Sequence, residues 1–284
     1  MKKLILVLAL LLGACSSGAP TSSPTDQPPA ETEALSGTPV VTPVESSNSS
    51  TLASGPITLV ALGDSLTQGD GDASGRGYPG RLLEILNGVR PGSDLVNLGQ
   101  SGWSSDALIN GDQGIESQLD RAVVALQNAA AQGRGAVALV WIGSNDLWYL
   151  YEYGGDVNND GEAQDIQRFT ANMDTILSRL RKTGASVIVA LLDDQSKRPV
   201  ALKGEAFTAI TQAELTRMSR LVGLYNAILS AKAAQYGALT VDFSNTDIFT
   251  NPATLYDDGN HPNSAGYDLI AQKWWEVLNS LLGG

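Results

Sequence analysis

From residue 56 onward the chain alternates short apolar runs with longer stretches whose apolar residues recur at helical spacing, and this alternation limits the fold more than any other feature. Runs at residues 57–62, 94–98, 136–142, 187–192 and 239–243 are short, rich in branched aliphatic residues and mostly bounded by small or polar residues, which reads as buried strands. The stretches between them place Leu82, Leu83, Ile85 and Leu86, then Leu119, Val123 and Leu126, then Ile166, Phe169, Met173, Ile176, Leu177 and Leu180, on helix faces. A long helix over residues 212–235 turns Leu215, Met218, Val222, Tyr225 and Leu229 inward, and a last one from Asn263 buries Tyr267, Ile270, Trp274, Val277 and Leu281. Strands apolar on both faces that alternate with helices predict an α/β domain with a parallel sheet covered on both sides. Such sheets bind ligands beyond the carboxyl ends of their strands. Here the first three runs end in turns of small and polar residues: Gly63-Asp64-Ser65, Gly99-Gln100-Ser101-Gly102 and Gly143-Ser144-Asn145-Asp146.

The region before this domain has a different character. Met1-Lys2-Lys3 precedes an unbroken apolar run from Leu4 to Leu12, which reads as an export signal over residues 1–14. The run is shorter than the roughly 20 residues a membrane span needs. Leu12-Gly13-Ala14-Cys15 resembles the lipobox of bacterial lipoproteins, which implies cleavage before Cys15 and lipidation of that residue, the chain's one cysteine. An ordinary signal peptide that leaves a free thiol is the alternative. Between Ser16 and Gly55, Ser, Thr and Pro make up 22 of 40 residues, with no aromatic, Lys or Arg. Too little apolar surface is present to offset ordering, so residues 15–55 read as a lipidated cysteine and a disordered tether. Residues 56–284 are long enough to bury one substantial core. The net charge of −12 argues against nucleic acid or an anionic membrane face as a partner. The expected location is the bacterial cell envelope, outside the cytoplasm, with membrane contact through the lipid on Cys15 and no protein partner implied.

His261 is the one histidine of the chain, which leaves a single imidazole base and no multi-histidine metal site. Asp258, three residues earlier, can reach the far ring nitrogen within one turn and fix its tautomer. Ser65 follows the first strand at the carboxyl edge of the sheet, where Gly63 allows a tight turn. A serine hydroxyl is a weak nucleophile unless a base takes its proton. Asn145 could donate a side-chain N–H to a developing oxyanion, as could the backbone N–H groups of Ser65 and Gly102, with Gly99 a competitor for the last role.

These residues resemble the four blocks of the SGNH (GDSL) hydrolases, in order and across most of residues 57–284: Gly63-Asp64-Ser65-Leu66, Asn97-Leu98-Gly99-Gln100-Ser101-Gly102, Gly143-Ser144-Asn145-Asp146 and Asp258-Gly259-Asn260-His261-Pro262. The resemblance implies a flavodoxin-like three-layer α/β/α sandwich with a five-stranded parallel sheet. It implies an esterase or acylhydrolase with Ser65 as nucleophile, His261 as base, Asp258 as its orienter, and no required cofactor. The substrate expected first is a carboxylic ester, thioester or lysophospholipid. An O-acetyl ester on cell-wall or environmental glycans is the second expectation, and a non-catalytic binding lipoprotein the third.

Two features lie outside these blocks. Trp148 and Tyr149, with Tyr151 and Tyr153, follow Asn145 and read either as the packing of a long loop or as a wall of the substrate pocket. Asp156-Val157-Asn158-Asn159-Asp160-Gly161 resembles the start of a calcium loop, so Asp156, Asn158, Asp160 and Glu162 are candidate ligands for a structural Ca2+. Position 12 of that loop is Gln167 and not a bidentate Glu, and an Asx-rich turn that starts a helix is the competing reading.

Overall fold

A computed structural model describes residues 52, 54–153, 157–203 and 210–283. The expected signal peptide, Cys15 and almost all of the tether lie outside the described residues. Five strands form one sheet: β1 (Ile57–Gly63), β2 (Asp94–Asn97), β3 (Gly135–Trp141), β4 (Ser186–Leu191) and β5 (Leu239–Asp242). Their order is β2-β1-β3-β4-β5 and every pairing is parallel. The chain moves outward in one direction from β1 to β2 and in the other from β1 to β3, so the order reverses beside β1. That reversal opens a crevice at the carboxyl ends of β1 and β3.

Helices cover both faces. On one side α2 (Gly77–Val89) packs against α9 (Ser264–Ser280); on the other, α4 (Gln118–Ala131), α6 (Asn159–Arg181) and α8 (Gln212–Tyr236) lie side by side. Short helices sit at the strand ends: α1 (Ser65–Gln68), α3 (Ser105–Asn110), α5 (Ser144–Tyr153) and α7 (Pro199–Lys203). The long helices are started by local chemistry the sequence carries. Asn158, Thr211 and Asn263 cap α6, α8 and α9 through side-chain oxygens, and Thr211 forms a reciprocal capping box with Glu214.

The expectation that every strand is apolar on both faces holds for β1 and β3, and for β4 apart from its ends. It fails for β2 and β5, which are part-exposed sheet edges with only one neighbour each. Three aromatic stacks fill the space between sheet and helices. Trp141 stacks on Phe243 at 4.3 Å and Tyr78 on Trp274 at 5.1 Å, on the α2/α9 side. Phe169 of α6 stacks on Tyr225 of α8 at 3.9 Å on the opposite side. Each buries a large apolar area, and truncating such a ring to alanine typically costs about 3–5 kcal/mol. Trp141 ends β3 directly beside Gly63, so this packing also sets the floor beneath the turn that carries Ser65.

Candidate active site

Ser65 opens α1 where β1 ends, half-buried and reachable from solvent. The turn is tight because Gly63 presses against the Trp141 carbonyl and the Thr67 hydroxyl, leaving no room for a β-carbon. Asp64 is buried and caps α1 by accepting from the Leu66 N–H at 3.0 Å. Its other carboxyl oxygen has no partner among the described residues. Burial drives its pKa up to about 7, against the lowering effect of the Leu66 hydrogen bond and the Arg198 charge.

Asp258 and His261 come from the long loop between β5 and α9. His261 Nε2 lies 2.9 Å from Ser65 Oγ, and its Nδ1 lies 2.7 Å from Asp258 Oδ2. The second carboxylate oxygen of Asp258 accepts from the backbone N–H groups of Asn260 and His261 at 2.8 and 2.9 Å. Partial burial pulls the Asp258 pKa upward, but the hydrogen bonds from His261 and Asn260 outweigh it, and the carboxyl stays below its usual range. Its neighbour Asp257 is exposed and makes no hydrogen bond to His261 among the described residues. The turn closes like a hairpin, with Tyr256 N–H donating to the His261 carbonyl at 2.8 Å and Asn263 N–H to the Thr254 carbonyl at 3.0 Å.

The glycine turn answers the competition between Gly99 and Gly102. Leu98, Gly99, Gln100, Ser101 and Trp103 donate their N–H groups to Ala61 O, Asn97 Oδ1, Gly63 O, Gln68 Oε1 and Gln100 O. The Gly102 N–H has no acceptor among the described residues, and neither has that of Ser65. An amide left open in this way, on an accessible residue, is available to an incoming oxyanion. Three residues of α5 hold this turn. Asn145 Nδ2 donates to the Trp103 carbonyl at 3.0 Å, which leaves its second N–H uncommitted, and Tyr149 donates to the Gly102 carbonyl at 2.6 Å. Buried Asp146 accepts from the N–H and hydroxyl of Ser105 at 2.8 and 2.5 Å; burial raises its pKa to about 6 despite those bonds.

The aromatic run is the helix α5 and not a long loop. Trp148 therefore turns into the core, 2 % exposed, which is the packing alternative and not the pocket wall. Tyr149, one residue on and about 100° round the helix, stays at a cleft of about 320 Å³ with Gln100, Ser101, Gly102, Asp112 and Gln113. The calcium expectation meets committed side chains. Asn158 caps α6 through Gly161 N–H, and Asp160 is exposed. Glu162 is held by the Tyr151 hydroxyl at 2.8 Å, by Arg217 at 2.6 Å and by Arg220, so two guanidinium groups stand where a cation would have to sit. Asp156 lies outside the described residues. Among those described, no group of three or more His, Cys, Asp or Glu side chains is placed to hold a metal.

Sequence reasoning passed over Asp72. Buried, it ties the loop after α1 to the start of α9 through Arg81 at 2.5 Å and the Ser264 hydroxyl at 2.7 Å. It joins segments far apart in the chain, so spacing gives no clue to it.

Solved structures share this architecture. An acetylxylan esterase from Geobacillus stearothermophilus matches with a TM-score of 0.53 at 19% identity, over 80% of this chain and 96% of its own. A psychrotrophic esterase from a Pseudoalteromonas species matches with a TM-score of 0.53 at 16% identity, over 80% and 99%. At such identities the likeness establishes the fold. No curated protein sequence matches the chain. A family model does match, over residues 61–269, from β1 through the His261 turn into α9, so the chain belongs to the GDSL-like lipase/acylhydrolase family.

Proposed function

We propose that the domain hydrolyses carboxylic esters through an acyl-enzyme, with Ser65, His261 and Asp258 as a catalytic triad. The observation that carries this reading is the unbroken chain Ser65 Oγ, His261 Nε2, His261 Nδ1, Asp258 Oδ2, with contacts of 2.9 and 2.7 Å. Ser65 Oγ attacks the acyl carbonyl while Nε2 takes its proton, and Asp258 stabilises the imidazolium. The negative charge moves to the former carbonyl oxygen, which the Ser65 and Gly102 N–H groups and the free Nδ2–H of Asn145 receive. Collapse of this intermediate breaks the bond to the leaving oxygen, and His261 returns the proton to it. Water, deprotonated by His261, then attacks the acyl-serine; the acyl–Oγ bond breaks, His261 returns the proton to Ser65 Oγ, and the acid is released. The scheme consumes only ester and water. A fluorophosphonate probe tests it: wild type should label and Ser65→Ala should not; equal labelling of both would sink the assignment of Ser65, and a wild type that does not label would leave the non-catalytic reading standing.

A second reading, removal of O-acetyl groups from glycans, is favoured by the cleft that begins at Gly102. Its wall includes the side chains of Gln100, Ser101, Asp112, Gln113 and Tyr149, which offer hydrogen bonds to hydroxyl groups more readily than contact to a long acyl chain. Acetylated xylo-oligosaccharide compared with p-nitrophenyl esters of rising chain length decides it; a preference for acyl chains of eight or more carbons would exclude this reading. We further propose that Cys15 carries a lipid that holds the domain outside the cytoplasm. Fatty-acid labelling lost in Cys15→Ala would support this, and labelling retained would refute it.

A further inference from the structure

We propose that Arg198 is a positioning residue for the catalytic turn, acting through Asn260 to hold Asp258 and His261 against Ser65. This rests on the triad reading above. The starting observation is a fully buried guanidinium, 2 % exposed, in a chain that otherwise keeps most of its arginines at or near the surface. Burying such a group is costly unless every N–H finds a partner. Arg198 spends two of its nitrogens on one acid, with Nε and Nη2 on the two oxygens of buried Asp193 at 2.9 and 2.7 Å. The ring of buried Phe249 lies 4.6 Å from its Cζ and closes one face. The remaining nitrogen, Nη1, reaches across to Asn260 Oδ1 at 2.8 Å.

Asn260 is the residue between Gly259 and His261, and its own N–H donates to Asp258 Oδ1. The Arg198 contact therefore fixes the middle of the turn whose two ends do the chemistry. A second contact sits beside it. Val200 N–H donates to the Gly259 carbonyl at 3.1 Å. Gly259 has φ +68, and a β-carbon there would stand 3.1 Å from Pro199 Cβ. The segment Arg198–Val200 and the turn thus meet at two points with no space between them.

The base of this clamp is firm. Leu192 follows β4 directly and is pinned through both its N–H and its carbonyl by the Asn226 side chain of α8, at 2.7 and 2.8 Å, and Asp193 is the next residue. The turn is not firm by itself, since Tyr256, Asp257 and Asp258 are exposed and have little core to pack on. A bidentate guanidinium is a rigid fork, unlike a lysine on a flexible stem. It transfers the position of β4 to a turn that would otherwise follow the motions of its loop. Misplacing a catalytic group by about 1 Å costs on the order of 100-fold in rate, so a fixed point here has a kinetic consequence.

The test uses the full chain. Arg198→Ala would strand Asp193 as an unpaired buried charge, so Asn260→Ala is the primary variant and Arg198→Lys the second. Asn260→Ala should lower kcat about 10-fold while KM stays within about twofold. The Tm should be nearly unchanged. Asn260→Asp, which keeps an acceptor oxygen toward Arg198, should recover most of the lost kcat. The single histidine gives a direct reading of the turn: the low-field Nδ1–H proton resonance of His261 should be sharp in wild type, broadened in Asn260→Ala and restored in Asn260→Asp. Wild-type kcat and an unchanged resonance in both Asn260→Ala and Arg198→Lys would overturn the proposal. So would a fall in kcat that merely tracks loss of folded protein. Ser65→Ala separates the two claims. If it still hydrolyses esters, the triad reading fails by itself, and the resonance still judges the clamp.

Discussion

The half of the candidate site that holds Ser65, Gly102 and Asn145 and the half that holds Asp258 and His261 are built on different supports. Ser65, Gly102 and Asn145 each stand a few residues beyond the end of β1, β2 or β3, and their turns are tied down by buried groups such as Asp64, Gln118 and Asp146. Asp258 and His261 stand far beyond the end of β5, on a loop whose tip is exposed. The first half inherits its geometry from the sheet. The second receives it from side chains elsewhere in the fold, Arg198 through Asn260 before His261 and the Asp72–Arg81 pair through Ser264 after it. Precision at the sheet edge thus follows from hydrogen-bonded backbone, whereas precision in the loop depends on a few long polar contacts, each of which one substitution can remove.

The comparison breaks most visibly if either half is deleted. Ser65→Ala and His261→Ala should each lower kcat by roughly 10⁴- to 10⁶-fold, and the double variant should be little worse than either single one. Additive losses in steady-state kinetics would mean that the halves do not act as a unit. Asn145→Ala comes next, with an expected loss of about 10²- to 10³-fold, mainly in kcat, as for other oxyanion donors. A loss confined to KM would place Asn145 in substrate binding instead. Tyr149→Phe removes the bond to the Gly102 carbonyl and should cost about 10-fold in kcat. No change would show that the sheet-borne half is rigid without help from α5.

The smallest effect is one of stability, and it contrasts the two acids. Asp258 is lowered from its usual range and Asp64 is raised to about 7. Between the unfolded value of 3.8 and about 7, the folded chain keeps a proton on Asp64 that the unfolded chain has lost. The contribution of Asp64 to stability therefore falls as pH rises through that window. Asp64→Asn keeps an oxygen for the Leu66 N–H and cannot ionise. At pH 8 its Tm should exceed that of wild type by about 4 °C, and the gap should close near pH 4, by calorimetry at both values. A gap independent of pH would show that Asp64 does not titrate in this window. Asp258 has the opposite sign: its contribution is present above the unfolded value and is lost as acid protonates it.

The same division explains what the sequence made legible. The strands were readable because each is a short apolar run closed by small or polar residues, and the turns at β1, β2 and β3 carry the candidate residues Ser65, Gly102 and Asn145 within a few positions of that signal. The contact of Asp258 with the His261 ring was readable from their three-residue offset. Arg198, Asn260 and Asp72 were not, because each acts through a partner distant in sequence or on a separate loop, and no local periodicity marks such a pair. Trp148 stayed open between packing and pocket wall because α5 carries aromatic residues in succession, which hides the helical repeat that sends it inward while Tyr149 stays at the cleft. Asn158 and Glu162 look like metal ligands when only spacing is read. The arginines that neutralise Glu162 come from α8, more than fifty positions away.

One modest contact has a practical consequence. Leu52 N–H bonds to the Leu281 carbonyl at 2.8 Å, so these two points of the described chain lie side by side, with Leu52 just ahead of β1. Ser65 lies at the other end of that strand. A support coupled before Leu52 or after Leu281 would therefore hold the molecule by its back and leave the reactive edge facing bulk solvent. A short peptide joining those two points, with new termini opened in an exposed loop, should give a circular permutant that still folds.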